Sequence, residues 1–375
     1  MEQKWADKFG GIIKNPQAVA KTWKQKTGKP VIGWAIPDGP EELILASGAL
    51  PMAVLGAEVA FSRADAHFQG FACSYTRTLL ELSLRGELEY LDALIIPHTC
   101  DALRAYDLVI KEIGKVKNVE TYRPPRLKDN KASEKYLREE LERIRKRLGE
   151  ITGHYPSADE INKASEQINS LKKALKELKK ELKTGRVSSL EFFSAVEAGM
   201  AGDKPEVNKL VLELVKEAAA RKPEKATSKK LVLAGKVAEP LAILSEIEAA
   251  GFQVVDDLLV NGSRYVKSTV ELDKDPIYAL ADAQLDKIPV AGVFDRDKTR
   301  SERIIQKVKK SGARAVIFLV QKFCEPYEMD VVGVEQDLTK AGIPMLRLES
   351  DYQTSSVAAL RTRIQAFSEM LSPKI

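Results

Sequence analysis

Short apolar runs bounded by glycine and proline recur near both ends of the chain and alternate with longer stretches whose apolar residues fall three and four apart. Lys29-Pro30 leads into Val31 to Ile36, which Pro37-Asp38-Gly39-Pro40 stops. Glu41 to Ser47 reads as helix, with Gly48 as its left-handed stop. Leu50 to Leu55 reads as a second strand, and Leu94 to Ile96 as a third, too short and too uniformly apolar for an exposed hairpin and better suited to a covered parallel sheet. Tyr75, Leu79 and Leu82 share one face of a predicted helix over Cys73 to Gly86.

The C-terminal part repeats this grammar. Lys230 to Gly235, Phe252 to Asp257, Ala315 to Val320 and Gly342 to Leu348 read as strands, and Pro240 to Ala250, Ser301 to Ser311, Val331 to Ala341 and Arg361 to Met370 as helices. Strands alternating with helices of about 10–15 residues predict βαβ units and a parallel sheet. Between the two parts, Leu137, Leu141, Ile144, Leu148 and Ile151 mark one helix. A capping box of Ser157 and Glu160 opens a second that carries Ile161, Ala164, Ile168, Leu171, Leu175, Leu178 and Leu182. The pair is expected to close as an antiparallel hairpin along a narrow apolar seam. The predicted fold is therefore α/β, with an N-terminal lobe over 1–130 holding Cys73 and Cys100, a helical hairpin and linker over 131–225, and a C-terminal lobe over 226–375 holding Cys324.

A length of 375 residues supports two cores, and 44% hydrophobic against 30% charged residues is the balance of a globular protein. No run reaches the roughly 18–20 apolar residues of a membrane span. The opening MEQKWADKFGGIIKNPQ is charged throughout and lacks the apolar core of a secretory signal, so a cytoplasmic location is expected. Lys+Arg 59 against Asp+Glu 54 leaves a net +5 spread over balanced pairs, and aromatics are 6% and scattered, which argues against a nucleic-acid partner. No G-x-G-x-x-G follows a strand and no G-x-x-x-x-G-K-[ST] occurs, so the chain is not expected to bind NAD or ATP by such a loop.

The only cysteines are Cys73, Cys100 and Cys324, an odd number unsuited to a disulfide framework. Cys100 and Cys324 each follow an apolar strand and precede an acid and a helix start, Asp101 in one lobe and Glu325-Pro326 in the other. Cys73 opens its own helix. The carboxyl end of a parallel strand is where open α/β sheets place ligands, and a helix start favours the metal-binding thiolate. Spacings of 27 residues (73 to 100) and 224 residues (100 to 324) lack the close pairs of structural zinc sites and the clustered runs of ferredoxins. Zinc, an iron–sulfur cluster and a cysteine nucleophile stay open on spacing alone, and any shared site must be built by tertiary folding. His98, two residues before Cys100, and Gln321 and Lys322 at the other strand mouth are candidates for the surroundings of such a site.

Gly33 to Gly56, Phe71-Ala72-Cys73-Ser74, Pro97-His98-Thr99-Cys100-Asp101, Lys322-Phe323-Cys324-Glu325-Pro326, and the ending Asp351-Tyr352-Gln353-Thr354 with Arg361 to Phe367 together resemble the 2-hydroxyacyl-CoA dehydratase and benzoyl-CoA reductase family. The resemblance covers nearly the whole chain. It implies two Rossmann-like lobes holding one [4Fe–4S] cluster on Cys73, Cys100 and Cys324; three thiolates would leave one iron without a protein thiol, and His98, Gln321 and Lys322 remain the candidates for its surroundings. It further implies an anaerobic, hetero-oligomeric enzyme: a homologous second iron–sulfur subunit, an ATP-hydrolysing iron–sulfur activator, a low-potential donor such as ferredoxin, and an acyl-CoA substrate. Benzoyl-CoA reductases reduce the aromatic ring to a cyclic dienoyl-CoA, and the dehydratases eliminate a hydroxyl through a ketyl radical. The expected role is the smaller subunit of an ATP-dependent benzoyl-CoA reductase, with a 2-hydroxyacyl-CoA dehydratase subunit and a non-catalytic electron relay as alternatives. Where family members carry a Cys-Pro-Glu or Thr-Pro-Glu turn, this chain has Asp38-Gly39-Pro40-Glu41-Glu42, a departure that points away from direct substrate contact.

Overall fold

The computed structural model describes residues 2–127, 130–223, 229–287, 289–295, 298–352 and 355–372. Gln353 and Thr354 of the resemblance and the expected boundary at 225/226 lie outside the described residues.

The apolar runs become strands that, apart from the last, are buried on nearly every residue. Val31–Ala35 (β1), Leu50–Val54 (β2), Ala93–Pro97 (β3) and Val119–Tyr122 (β4) form one parallel sheet in the order β2-β1-β3-β4. Lys230–Gly235 (β5), Gln253–Asp257 (β6), Ala315–Gln321 (β7) and Met345–Ser350 (β8) form a second in the order β6-β5-β7-β8. The two sheets thus share one topology, in which the strand order reverses between the first and third strands of each lobe. This is the two-lobed α/β fold expected. β4 was not anticipated, because four residues alternating in polarity give too short a signal.

Of the N-terminal helices Glu2–Lys14 (α1) and Pro16–Thr27 (α2), the first buries Trp5 and Phe9, whose burial the surrounding charges concealed. Glu41–Ala46 (α3), Ser74–Arg85 (α4) and Asp101–Ile113 (α5) complete the first lobe. Lys131–Thr152 (α6) and Ala158–Thr184 (α7) are the two long helices anticipated, with the Ser157/Glu160 capping box in place. The expected seam between them is corrected. α7 lies mainly against α3 and the helices Ser189–Ala201 (α8) and Lys204–Ala219 (α9), while α6 lies against α3 and Pro276–Asp286 (α12). Leucines three and four apart fix a buried stripe, not the element that covers it.

α8 is buried along almost its whole length and touches both β2 of the first lobe and Ala242–Ala249 (α10) of the second. Phe192 and Phe193 meet edge-on at 5.2 Å within it. The two lobes consequently share one continuous hydrophobic core. After the short Tyr265–Lys267 (α11), the second lobe is finished by Thr299–Ser311 (α13), Glu325–Lys340 (α14) and Ser355–Met370 (α15). The last two begin six residues earlier than the apolar spacing predicted, at residues 325 rather than 331 and 355 rather than 361. For α14 the reason is Pro326, which is compatible with a first helical turn and sets the start directly after Cys324. No helix among the described residues is long and apolar enough to cross a membrane.

Candidate metal centre

The inner strands of both sheets end where the lobes face each other. Pro37 after β1, Thr99 and Cys100 after β3, Lys236 after β5 and Cys324 after β7 line one cavity of about 30 Å³, joined by Cys73 from the start of α4. These four strands flank the reversal of strand order in each lobe, the position where open α/β sheets hold ligands. Val290 and Gly292 of the second lobe close the cavity over Thr99. Arg126 fastens them there, donating to the carbonyls of both Thr99 and Gly292. A Cβ at Gly292 would stand 2.2 Å from the Thr99 oxygen, so only glycine permits this approach.

Cys73, Cys100 and Cys324 are the residues immediately before α4, α5 and α14. Each sulfur therefore sits at the positive end of a helix, which favours the thiolate. The chain reaches Cys324 through Phe323 in the left-handed region (φ 61°). That conformation costs an L-residue about 1–2 kcal/mol and turns the end of β7 sharply into α14. Cross-lobe tethers hold the arrangement. The Ser74 N–H donates to the Lys322 carbonyl at 3.4 Å, and the Tyr352 ring lies so close to Gly56 that a Cβ there would stand 1.7 Å from it.

The sulfurs are inequivalent. A hydrogen bond with Cys324 pulls the Cys73 thiol well below its usual range, overcoming burial and assisted by Lys236 and Thr76. The same bond and burial push Cys324 well up. Burial and the charge on Cys73 raise Cys100. Lys236, 8% exposed, stands with Nζ 4.0 Å from the Cys73 sulfur, donates to Gln321 Oε1 at 2.7 Å, and lies 4.9 Å from the centre of the Tyr75 ring. Burial alone would lower its pKa, but the three sulfurs together raise it, so the ammonium is the resident countercharge.

Among the described residues no carboxylate or imidazole lines the cavity, and its donors are three soft sulfurs, which select thiophilic centres such as zinc, copper(I) or iron–sulfur. A single zinc ion about 2.3 Å from each sulfur would draw the three to about 3.8 Å of one another. Among the described residues no three His, Cys, Asp or Glu side chains form a group ready to close on one ion. Cys73 and Cys324 shift each other's protonation most strongly, and Cys100 feels the charge on Cys73. Three soft donors contributed by two lobes are a ligand set that an iron–sulfur cluster can take. The donor chemistry thus fits an iron–sulfur cluster.

The profile of the 2-hydroxyglutaryl-CoA dehydratase, D-component family matches residues 38–371, which includes all three cysteines. The chain belongs to this family. It is 28% identical over 372 residues to the (R)-phenyllactyl-CoA dehydratase beta subunit of Clostridium sporogenes, covering 98% of this chain and 99% of that protein. It is 27% identical to the beta subunit of lactoyl-CoA dehydratase of Anaerotignum propionicum, covering 96% of each. To a benzoyl-CoA reductase subunit of Thauera aromatica it is 22% identical, covering 94% of each.

Of the residues singled out around the cysteines, the structure brings only Gln321 to the strand-mouth cavity, and it does so through Lys236. Lys322 is exposed and turns its ammonium over the Phe323 ring at 5.4 Å. His98 lies on the other side of its strand end, with Nε2 2.8 Å from Asp107 Oδ2 in a group shared with Lys111 and Thr121, and burial lowers its pKa. Sequence reasoning missed Lys236. The signal was its place directly after Gly235 at the end of β5, the counterpart of the strand ends carrying the cysteines. The Asp38 turn is filled by cations of the same chain: Arg264 at 2.9 Å and Lys287 at 3.6 Å from Asp38, Lys172 at 3.4 Å from Glu42, and Lys204 at 2.8 Å from Glu41.

Proposed function

We propose that this chain is the cluster-bearing beta-type subunit of a 2-hydroxyacyl-CoA dehydratase. The observation that carries the reading is the convergence of three thiols from two lobes on one cavity with a buried ammonium and, among the described residues, no carboxylate. A [4Fe–4S] cluster in that place supplies low-potential one-electron transfer. Cys73, Cys100 and Cys324 hold it, the first as the thiolate formed most readily. Lys236 offsets the negative charge gathered on the sulfurs, and Gln321 fixes the direction of its ammonium. Pro37, Val260, Val290 and Tyr327 wall the site against water, which strengthens that charge interaction.

Two of the relatives above are dehydratase beta subunits and the third belongs to a reductase, which supports a partner subunit and an acyl-CoA substrate for the complex. In keeping with the resemblance, we take the partners to be a homologous iron–sulfur subunit, an ATP-hydrolysing activator and a ferredoxin-like donor in the cytoplasm. The self-filled turn at Asp38 favours binding of the thioester by the partner subunit, with this chain relaying the electron. Ring reduction of benzoyl-CoA is the second reading, favoured by the reductase relative.

Two measurements test these readings. Anaerobically purified chain should contain about four irons and little zinc. Stoichiometric zinc without charge-transfer absorption rejects the cluster. On the complex assembled with its activator, a 2-hydroxyacyl-CoA should turn over many times for a priming amount of reductant, whereas steady reductant consumption with benzoyl-CoA moves the assignment to the reductase.

A further inference from the structure

A second concave site lies against β6, away from the cysteines, and its charge is one-sided. Lys176, Lys179 and Lys183 follow each other at three and four residues along one face of α7. Arg303, Lys307 and Lys310 do so along α13. The two stripes come from segments more than a hundred residues apart in sequence, yet they face the same cavity of about 650 Å³, which Lys267 also lines. Helical periodicity alone would give each helix a solvated basic face. Convergence of both on one hollow is a tertiary arrangement.

Among the described residues the acids are too few to neutralise it. Asp256 is engaged by Lys179, Lys183 and Lys307, and Asp257 by Lys179. Lys267 pairs with Asp286 at 3.0 Å. Lys176, Arg303 and Lys310 have no ion-pair partner among the described residues. Burial and the neighbouring ammonium groups of Lys172 and Lys267 push the Lys176 pKa down, as expected where positive charge accumulates without an anion. The cavity is more than an anion patch, because Val255, Leu258 and Val266 give it an apolar wall. Its volume lies within the roughly 300–1,000 Å³ of small-molecule sites and far exceeds what one phosphate fills.

We propose that this pocket binds a nucleotide polyphosphate, its phosphates held by Lys176, Arg303 and Lys310 and its base or adjoining apolar part set against Val255, Leu258 and Val266. Two sources carry that chemistry, the 3′-phospho-ADP head of CoA and free ADP or ATP. The segment after β6 links the pocket to the cysteine cavity: Leu258 and Ser263 line the former and Val260 the latter. An occupant would therefore brace one wall of the metal centre.

The test needs neither cluster nor turnover, so its failure is distinct from failure of the proposed function. Full-length chain is titrated by calorimetry with CoA, ADP, ATP and inorganic pyrophosphate at two salt concentrations. The expected result is saturable, salt-sensitive binding of at least one nucleotide, with tenfold or more lost in the triple variant Lys176→Gln/Arg303→Gln/Lys310→Gln and none in the surface triple Lys135→Gln/Lys146→Gln/Lys209→Gln. Circular dichroism checks that both remain folded, and the single variant Arg303→Gln gives the same direction should the triple unfold. CoA binding tighter than ADP and ATP assigns the thioester's head and moves its binding from the partner subunit to this chain, and the reverse order assigns a free nucleotide. Pyrophosphate binding as tightly as every nucleotide, equal losses in the two triples, or no saturable binding below millimolar concentration would overturn the proposal. So would a pocket triple that weakens only assembly with a partner subunit, which makes the pocket a dock for an acidic protein surface.

Discussion

Removing the Lys236 ammonium should lower the reduction potential of the cluster proposed on the three cysteines. The amine stands 4.0 Å from the Cys73 sulfur and is 8% exposed, so little water screens it. Two unit charges about 4 Å apart at an effective dielectric near 20 interact by about 4 kcal/mol. For one electron, about 59 mV corresponds to a tenfold change in equilibrium, so that energy equals about 170 mV. This is an upper bound, because an added electron spreads beyond one sulfur. A Lys236→Met chain should therefore shift negative by roughly 50–170 mV. The assay is a redox titration of anaerobically prepared protein followed by electron paramagnetic resonance, with iron content matched to the parent. Lys236→Arg should stay near the parent value. Lys322→Met, which removes a cation turned away from the cavity, should move it little. Full cluster occupancy with an unchanged potential in Lys236→Met refutes the countercharge argument. An equal shift in Lys322→Met would mean that net charge, not position, governs the site.

Four further outcomes are expected. Cys100→Ser should lower iron content and melting temperature together, since a ligand held only by the native state stabilises it; iron loss without a change in melting temperature would separate the two. Gly292→Ala, whose Cβ would stand 2.2 Å from the Thr99 oxygen, should displace the covering loop and cut iron retention, read by chelator-release kinetics. Phe323→Gly removes the left-handed penalty and should be neutral or stabilising by up to about 1 kcal/mol, whereas Phe323→Val should destabilise by about 1–2 kcal/mol in denaturant titration. Burial pushes Asp256 up, but the ammonium groups of Lys179 and Lys307 outweigh it and hold the carboxyl at about 2. A depressed carboxyl adds stability that is complete above its unfolded value near 4 and lost as pH falls through 2. Asp256→Asn should therefore flatten the fall in melting temperature between pH 4 and 2, and an unchanged slope would dismiss the pair.

The parts of this architecture legible in the sequence were those with a local cause. Uniformly apolar runs such as Val31 to Ala35 and Ala315 to Val320 can only be covered strands, and a cysteine between such a run and a helix start must lie at a strand mouth. The Ser157/Glu160 box announced its helix, because its two hydrogen bonds are made within four residues. What stayed hidden depended on partners remote in sequence. α8 is apolar nearly all round, so Phe192, Val196 and Met200 show no preferred face until both lobes enclose them. Lys236 reads as an ordinary polar residue after a strand, since its burial is decided by Tyr75 and Gln321. His98 and Lys322 are adjacent in sequence to the right loops, but the alternation of side chains at a strand end sends them elsewhere.

The helix enclosed by both lobes bears on how such a centre would behave when its charge changes. A cleft that opens and shuts lets solvent and side chains regroup around each incoming electron, and that regrouping slows transfer. With α8 lodged in a core common to the two sheets, and with Tyr352 seated on Gly56, the walls have nowhere to swing. An electron would arrive in surroundings whose dipoles are already set, leaving little nuclear motion to accompany it. Timing of the transfer then falls to whatever docks against the outside of the chain.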